Sequence, residues 1–346
     1  MNQLLYLKTT CTDPYRNLAL EKVLMDHVQP GQCILYLWQN ANTVVIGRNQ
    51  CAQAECRIEA LEAAGGHLAR RLSGGGAVYH DLGNLNFTFL VRRADYDVTR
   101  QTDVILQAVR ALGVPAVRTG RNDLAADGQK FSGHAYYRSG DTCYHHGTLM
   151  VKVSMDKLGL YLNPSPDKLR TKGVASVRSR VVNLTHYCPD LTIDRLCDQL
   201  LEAFSRQYRL PVQPMPEDPS RDTAVEALAR QFADPSWLYG RVLPTGDGVW
   251  RRQERFGWGG VTLHYTLKDG ALHQVTLHSD GLEADYLAGV PALLEGCPGT
   301  PQAIHQALNS TADTPVLRQV AQDLAGLILL PASEEKEASP CDTISQ

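Results

Sequence analysis

The sequence predicts an α/β protein built as a large domain followed by a small one. Three observations carry this. Strand-like and helix-like runs interleave along most of the chain. Three consecutive glycines, Gly74-Gly75-Gly76, have strand signals on both sides. A cluster of breakers, Pro244-Thr245-Gly246-Asp247-Gly248, then precedes a hairpin followed by helices, the pattern of a small α/β unit. The expected domains are residues 1–245 and 250–331, and the polar tail 332–346 is expected to be disordered.

Composition narrows the class. With 346 residues and 43% hydrophobic content the chain is long enough for a large core and a smaller one. A formal charge of −3 gives no electrostatic case for nucleic acid. No apolar run approaches the roughly 18 residues of a membrane span, and the first residues lack the pattern of a signal peptide. A cytoplasmic monomer is the expectation. The nine cysteines are singletons; Cys51 and Cys56, five apart, fit neither a zinc half-site nor a redox motif.

In chain order, Asp13-Pro14 starts a helix carrying Leu18, Met25 and Val28 that ends near Gly31. Residues 33–38 and 43–46 read as strands joined by the polar turn Gln39-Asn40-Ala41-Asn42. A helix is expected over 54–64, closed by Gly65-Gly66. The alternating run 85–91 reads as a half-buried strand, and 102–112 as a helix ending at Gly113. Strands over 116–120, 123–126 and 129–132 follow, with Asp127-Gly128 as the turn of a hairpin that sets Lys130 on a rigid strand. Residues 144–153 are a further strand. The clearest helix is 192–208, with Ile193, Leu196, Leu200, Phe204 and Tyr208 on one face. Residues 211–219 read as a proline-rich connector and 222–232 as a helix, with Trp237-Leu238-Tyr239-Gly240 leading out of the large domain. Beyond 248, strands 260–268 and 271–278 pair across Asp269-Gly270, and helices lie near 284–288, 301–308 and 316–327.

The chemistry concentrates in Arg70-Arg71-Leu72-Ser73-Gly74-Gly75-Gly76-Ala77-Val78-Tyr79-His80-Asp81-Leu82-Gly83-Asn84. A strand-to-strand glycine loop fits neither the Walker-A nor the dinucleotide pattern. Bare backbone amides beside paired arginines form an anion site suited to phosphate or adenylate oxygens.

This stretch resembles the signature of the lipoate–protein ligases. Further blocks agree in the same order: Gly120-Arg121-Asn122-Asp123-Leu124 leading into Lys130-Phe131-Ser132-Gly133, then His145-His146-Gly147-Thr148-Leu149, then residues 172–180, then Phe256-Gly257-Trp258-Gly259-Gly260. The resemblance covers residues 1–330 approximately and is closest to the bacterial lipoate–protein ligase A type with a C-terminal accessory domain. It implies the catalytic fold shared by biotin and lipoate ligases, mixed sheets with flanking helices, in the large domain.

It also implies an activity: lipoate and ATP form lipoyl-AMP, and the lipoyl group then passes to a lysine of a lipoyl domain. The carriers would be acyltransferase E2 subunits or the glycine-cleavage H protein, and Mg2+ would accompany ATP. Arg71, Gly76, Ala77, Val78 and Tyr79 are the implied contacts of ATP or the adenylate. Lys130 is the implied catalytic lysine, touching both nucleotide and lipoate; a cation there draws two anions together and neutralises developing charge. Ser73, Gly74, Gly75 and His80 are the implied lipoate contacts. Asn122 and Asp123 are candidates for adenosine, Mg2+ or the acceptor lysine. Arg70 either shares the anion role or pairs with an acid. His145 and His146 are read as pocket wall, with base catalysis as the alternative, and Val78, Leu72, Val45 and Tyr36 as apolar lining. Arg138 stands one position later than in some relatives, so it is left out of the site. Three rival functions remain: an octanoyl transferase working through a thioester on Cys143, a biotin ligase, and a non-catalytic protein that binds acyl-adenylate or lipoyl domains. The biotin-ligase adenylate loop is absent, and Lys130 and the C-terminal domain favour the ligase.

Overall fold

The computed structural model describes residues 1–163, 181–240, 246 and 248–329. Residues 172–180, the breakers Pro244, Thr245 and Asp247, and the tail 332–346 lie outside the described residues. The strands of the large region are β1 (Gln3–Lys8), β2 (Gln32–Trp38), β3 (Thr43–Ile46), β4 (His67–Arg70), β5 (Val78–His80) and β6 (Asn84–Arg92). Then come β7 (Ala116–Thr119), β8 (Asp123–Ala126), β9 (Gln129–Ser139), β10 (Thr142–Met150) and β11 (Val212–Pro214). Eight of them form a mixed sheet in the order β11-β1-β2-β6-β10-β9-β8-β7. The rest form a small sheet, β4-β3-β5, in which β3 pairs parallel with β4 and antiparallel with β5.

Helices cover both faces of the large sheet. Pro14–His27 begins at Asp13, whose side chain accepts from the Tyr15 and Arg16 amides. It packs with Thr223–Ala233 on one face, over Ile34, Tyr36 and Leu90. Val98–Ala111 and Ile193–Tyr208, capped by Asp97 and Thr192, pack on the other, over Leu35, Phe87 and Phe89. This is why β6 is buried at nearly every position and not on one face only, as its alternation suggested.

Other expectations are corrected by tertiary contacts. The helix expected over 54–64 is split into Ala52–Glu55 and Ile58–Ala63. Between them Cys56 bridges to Leu162, the Arg57 amide donates to the Tyr161 carbonyl, and the Asn163 amide donates to Glu55. The helix expected from 102 begins at Val98 because Asp97 caps it. The proline-rich connector holds β11, an edge strand parallel to β1, where a missing N–H is tolerated. Strands β2 and β3 are joined by the expected turn but enter different sheets.

The C-terminal region has its own sheet, β12 (Trp250–Phe256), β13 (Gly259–Lys268) and β14 (Ala271–Ser279), with β13 central. Strand β12 escaped the sequence reading because it is a charged edge, Arg251-Arg252-Gln253-Glu254-Arg255. Helices Ala284–Leu294, Pro301–Asn309 and Pro315–Leu329 pack on this sheet around Leu263, Leu287, Leu308 and Leu324.

Candidate active site

The glycine loop leaves β4 on one side of β3, crosses the end of β3, and returns as β5 on the other side. The crossing needs small residues. A Cβ on Gly47, just past β3, would lie 2.2 Å from the Gly75 carbonyl oxygen, and Gly75 itself has φ +90°. Gly76 has open space where a Cβ would be, so its backbone faces the cavity unscreened.

The two arginines organise the loop from beneath. Arg70 is 1% exposed and donates to the carbonyls of Gly47, Arg48, Gln50, Trp237 and Leu238. It does not line the cavity, and its bonds to backbone carbonyls tie the loop to the helix Pro235–Tyr239. Arg71, also buried, donates to the carbonyls of Val45, Gly74 and Gly76 and to Ser73 Oγ. Burial pulls its guanidinium down to about 10. It lines the cavity while holding the Gly74 and Gly76 carbonyls of the loop.

Behind the loop lies a chain of buried polar groups. Ser73 Oγ is 2.8 Å from His146 Nε2, and His146 Nδ1 is 2.8 Å from Glu21 Oε1. Thr88 Oγ1 also donates to Glu21, and Trp38 Nε1 donates to Thr88. His146 borders the cavity, whereas His145 is fully buried, with Nε2 2.9 Å from His134 Nδ1. The cavity side of that pair is His134, whose ring burial holds neutral down to about 3.

Lys130 sits on β9, just after the hairpin turn at Asp127 (φ +49°) and Gly128 (φ +78°). Its Nζ is 2.7 Å from Asp123 Oδ1. A Cβ on Gly133 would lie 2.6 Å from that Nζ, so the glycine gives the lysine its space. Asn122 is held by backbone and side-chain bonds to His134.

A cavity of about 640 Å³ joins these parts. Arg71, Gly75, Gly76, Ala77, Val78, His80, Asn122, Asp123 and Lys130 all line it. Ser73, Gly74 and Tyr79 do not: Ser73 is turned to His146, Gly74 lies against Gly281, and Tyr79 packs on Tyr161 and bonds Asn42. Of the apolar lining expected, Val45 and Val78 border the cavity, while Leu72 and Tyr36 belong to the adjoining core.

The small domain supplies one wall, with Arg255, Trp258, Asp280 and Leu282. Asp280 accepts from the Gly260 amide and pairs with Arg255. Arg121 reaches the Trp258 carbonyl at 2.5 Å, and the Gly75 amide donates to Gly281. Sequence reading missed Asp280, Arg255, Trp38, Asn86 and Glu21. Only Glu21 left a signal: it is an acid on the same helical stripe as Leu18 and Met25.

Among the described residues no three His, Cys, Asp or Glu side chains gather as a metal site. The donors here do not form a protein cage for Mg2+. Cys143 is buried in the core with burial raising its thiol, and it does not border the cavity. Arg138 lies over the Tyr96 ring, also away from the cavity. No helix among the described residues is long and apolar enough to cross a membrane.

Residues 13–205 match the family model of the lipoyl protein ligase A/B catalytic domain, and residues 249–327 that of the bacterial lipoate protein ligase C-terminus. The chain is 40% identical over 289 residues to the lipoate-protein ligase A of Psychrobacter cryohalolentis, covering 81% of this chain and 84% of that one. The fold matches that of Plasmodium falciparum LipL1, solved with lipoate, with a TM-score of 0.80 at 23% identity over 94% of this chain and 100% of that one. A bipartite lipoate protein ligase from Thermoplasma acidophilum, solved with its E2 lipoyl domain, aligns at TM-score 0.60 and 28% identity over 70% of this chain and 98% of that one. A lipoate-protein ligase A bound with ATP aligns at TM-score 0.59 and 27% identity, covering 70% of this chain and 99% of that one.

Proposed function

This chain belongs to the lipoyl protein ligase A/B family and is a ligase, and from that premise we propose that it joins lipoate to carrier proteins through lipoyl-AMP. The supporting observation is the juxtaposition of Lys130 with the open glycine loop on one cavity that Leu18, Val45 and Val78 also line. A carboxylate oxygen of lipoate attacks the α-phosphorus of ATP, the bond to the β-phosphate oxygen breaks, and pyrophosphate leaves with that electron pair. Lys130 lies between carboxylate and α-phosphate, where its charge offsets the repulsion of two anions. The amides of Gly76 and Ala77 bind phosphate oxygens. Mg2+ would come with ATP as part of that substrate and would offset phosphate charge there.

In the second step a lysine ε-amine of a lipoyl domain attacks the acyl carbonyl, the bond to the AMP oxygen breaks, and AMP leaves. The amine must first lose a proton. Asp123, or a phosphate oxygen of the adenylate, accepts it. Carriers of this kind are E2 lipoyl domains and the glycine-cleavage H protein.

The test is ATP–pyrophosphate exchange with lipoate, octanoate or biotin as the acid. Exchange stimulated by lipoate is the expected result. Absence of exchange with every one of these acids, together with thioester formation from an octanoyl carrier, would replace this reading with the transferase.

A further inference from the structure

Among the described residues, two hydrogen-bond donors in the cavity wall have no acceptor. His80 is 3% exposed and Asn86 is 2% exposed, and both line the cavity. His80 Nε2 and Asn86 Nδ2 are buried without a hydrogen-bond partner. Buried polar groups are seldom left unpaired, so the pair points to an acceptor that arrives with a ligand.

A relay of amides fixes His80 as a donor. Asn17 Nδ2 is surrounded by the oxygens of Cys11, Gln39 and Asn40, and Asn17 Oδ1 accepts from the Tyr36 hydroxyl. Asn40 Oδ1 therefore accepts, and Asn40 Nδ2 must donate to His80 Nδ1, 3.2 Å away. With Nδ1 an acceptor, the neutral ring carries its proton on Nε2. Burial, then the charges of Arg71 and His146, keep it neutral to about 3. Asn86 Oδ1 likewise accepts from Asn84 Nδ2, leaving its own NH2 as the spare group.

The surroundings describe the acceptor. Trp38 is edge-on to His80 and is the cross-strand partner of Asn86, so both donors lie beside one indole. Leu18, Val45 and Val78 complete an apolar end. Asn86 pairs with Thr148 on β10, Thr148 accepts from the Gly133 amide on β9, and Gly133 is the residue against Lys130 Nζ, so the donor pair stands two strand spacings, about 10 Å, across the sheet from the lysine. On the reading that the acid's carboxylate lies at Lys130, the far end of the acyl chain lies here. In lipoate the only heteroatoms at that end are two ring sulfurs, which carry lone pairs and no hydrogen.

We propose that His80 and Asn86 form a subsite for the ring sulfurs of lipoate, with Asn40 a positioning residue that sets the His80 tautomer. An acid of similar length ending in a methyl group leaves both donors buried and unpaired, so the site selects lipoate over octanoate. The inference rests on the ligase reading above.

The experiment compares kcat/KM for lipoate and octanoate in ATP–pyrophosphate exchange, wild type against His80→Phe. The expected result is a fall of about ten-fold in the lipoate-to-octanoate ratio, carried by KM and not kcat. An unchanged ratio would overturn the subsite while leaving the ligase intact. If the wild type exchanges with neither acid, the ligase reading itself falls and takes this inference with it. Should His80→Phe not fold, wild-type protein labelled with 15N-histidine gives the answer. An Nε2–H tautomer whose resonance moves with lipoate but not with octanoate is expected; an Nδ1–H tautomer, or equal shifts with both acids, would overturn the proposal.

Discussion

Arg70, Arg71 and Lys130 are all cations of the candidate site, yet their surroundings assign them different work. The arginines are buried and spend their donors on backbone carbonyls, while the Lys130 side chain remains 33% exposed. Arg71→Ala would strand the carbonyls of Val45, Gly74 and Gly76, each costing about 1–3 kcal/mol when left unpaired. Lys130→Ala removes a side chain that is one-third exposed and should change stability by no more than about 0.5 kcal/mol. Thermal denaturation beside ATP–pyrophosphate exchange separates them: Arg71→Ala loses both Tm and exchange, and Lys130→Ala loses exchange alone. Exchange surviving in Lys130→Ala would remove that lysine from the mechanism.

At the scale of elements, β5, β9 and β10 each carry a histidine that is buried and kept neutral: His80, His134 and His145. Burial is the largest cause in each case, holding His80 and His134 to about 3 and His145 well below its usual value. Arg71 and His146 add to it at His80, Lys130, Arg118 and His146 at His134, and His134, His146 and Arg118 at His145, with Asp123 opposing at His134. The unfolded histidines titrate near 6.5, so in acid the unfolded chain binds protons the native chain refuses. Stability is therefore full above about pH 6.5 and declines as pH falls toward 3, by up to about 1.4 kcal/mol per pH unit for each histidine. Denaturant midpoints at pH 7 and pH 5 should differ in that direction, and His145→Gln should flatten the slope. Midpoints that do not move would mean these rings accept protons in the native state.

For the whole molecule the question is how the two regions move. The buried cluster of the C-terminal region contains no residue from the large region. Across the boundary run mainly polar contacts: Arg48 with Asp285, Asn49 with the Ala284 carbonyl and the Ser279 amide, Gly75 with Gly281, and Arg121 with Trp258. Such contacts break at small net cost because water replaces them. The closed arrangement walls the cavity; on the mechanism proposed above it would shield a mixed anhydride from water, and a bulky lipoyl domain would later have to reach the same carbonyl. We expect the small domain to swing away once lipoyl-AMP has formed, and Asp285→Ala to favour the open form. Small-angle scattering with and without a non-hydrolysable lipoyl-adenylate analogue checks this; identical profiles on saturation would sink it.

What the sequence by itself determined was local and chemical. Asp13-Pro14, Asp127-Gly128 and the apolar stripe from Ile193 to Tyr208 carry their own capping, turn and periodicity signals. The ordered motifs from Arg70 to Gly260 were enough to identify the family and to nominate Lys130. Tertiary structure alone decided what each polar group meets. Nothing in Arg70-Arg71 says that both bond carbonyls from segments more than twenty residues away. Nothing local breaks the helix at Cys56, because its partner Leu162 is a hundred residues on. The Asp280 wall and the donor pair of His80 and Asn86 exist only once separate strands and a second domain converge. Hydrogen bonding and desolvation act through space, and a side chain's partners are set by the fold that surrounds it.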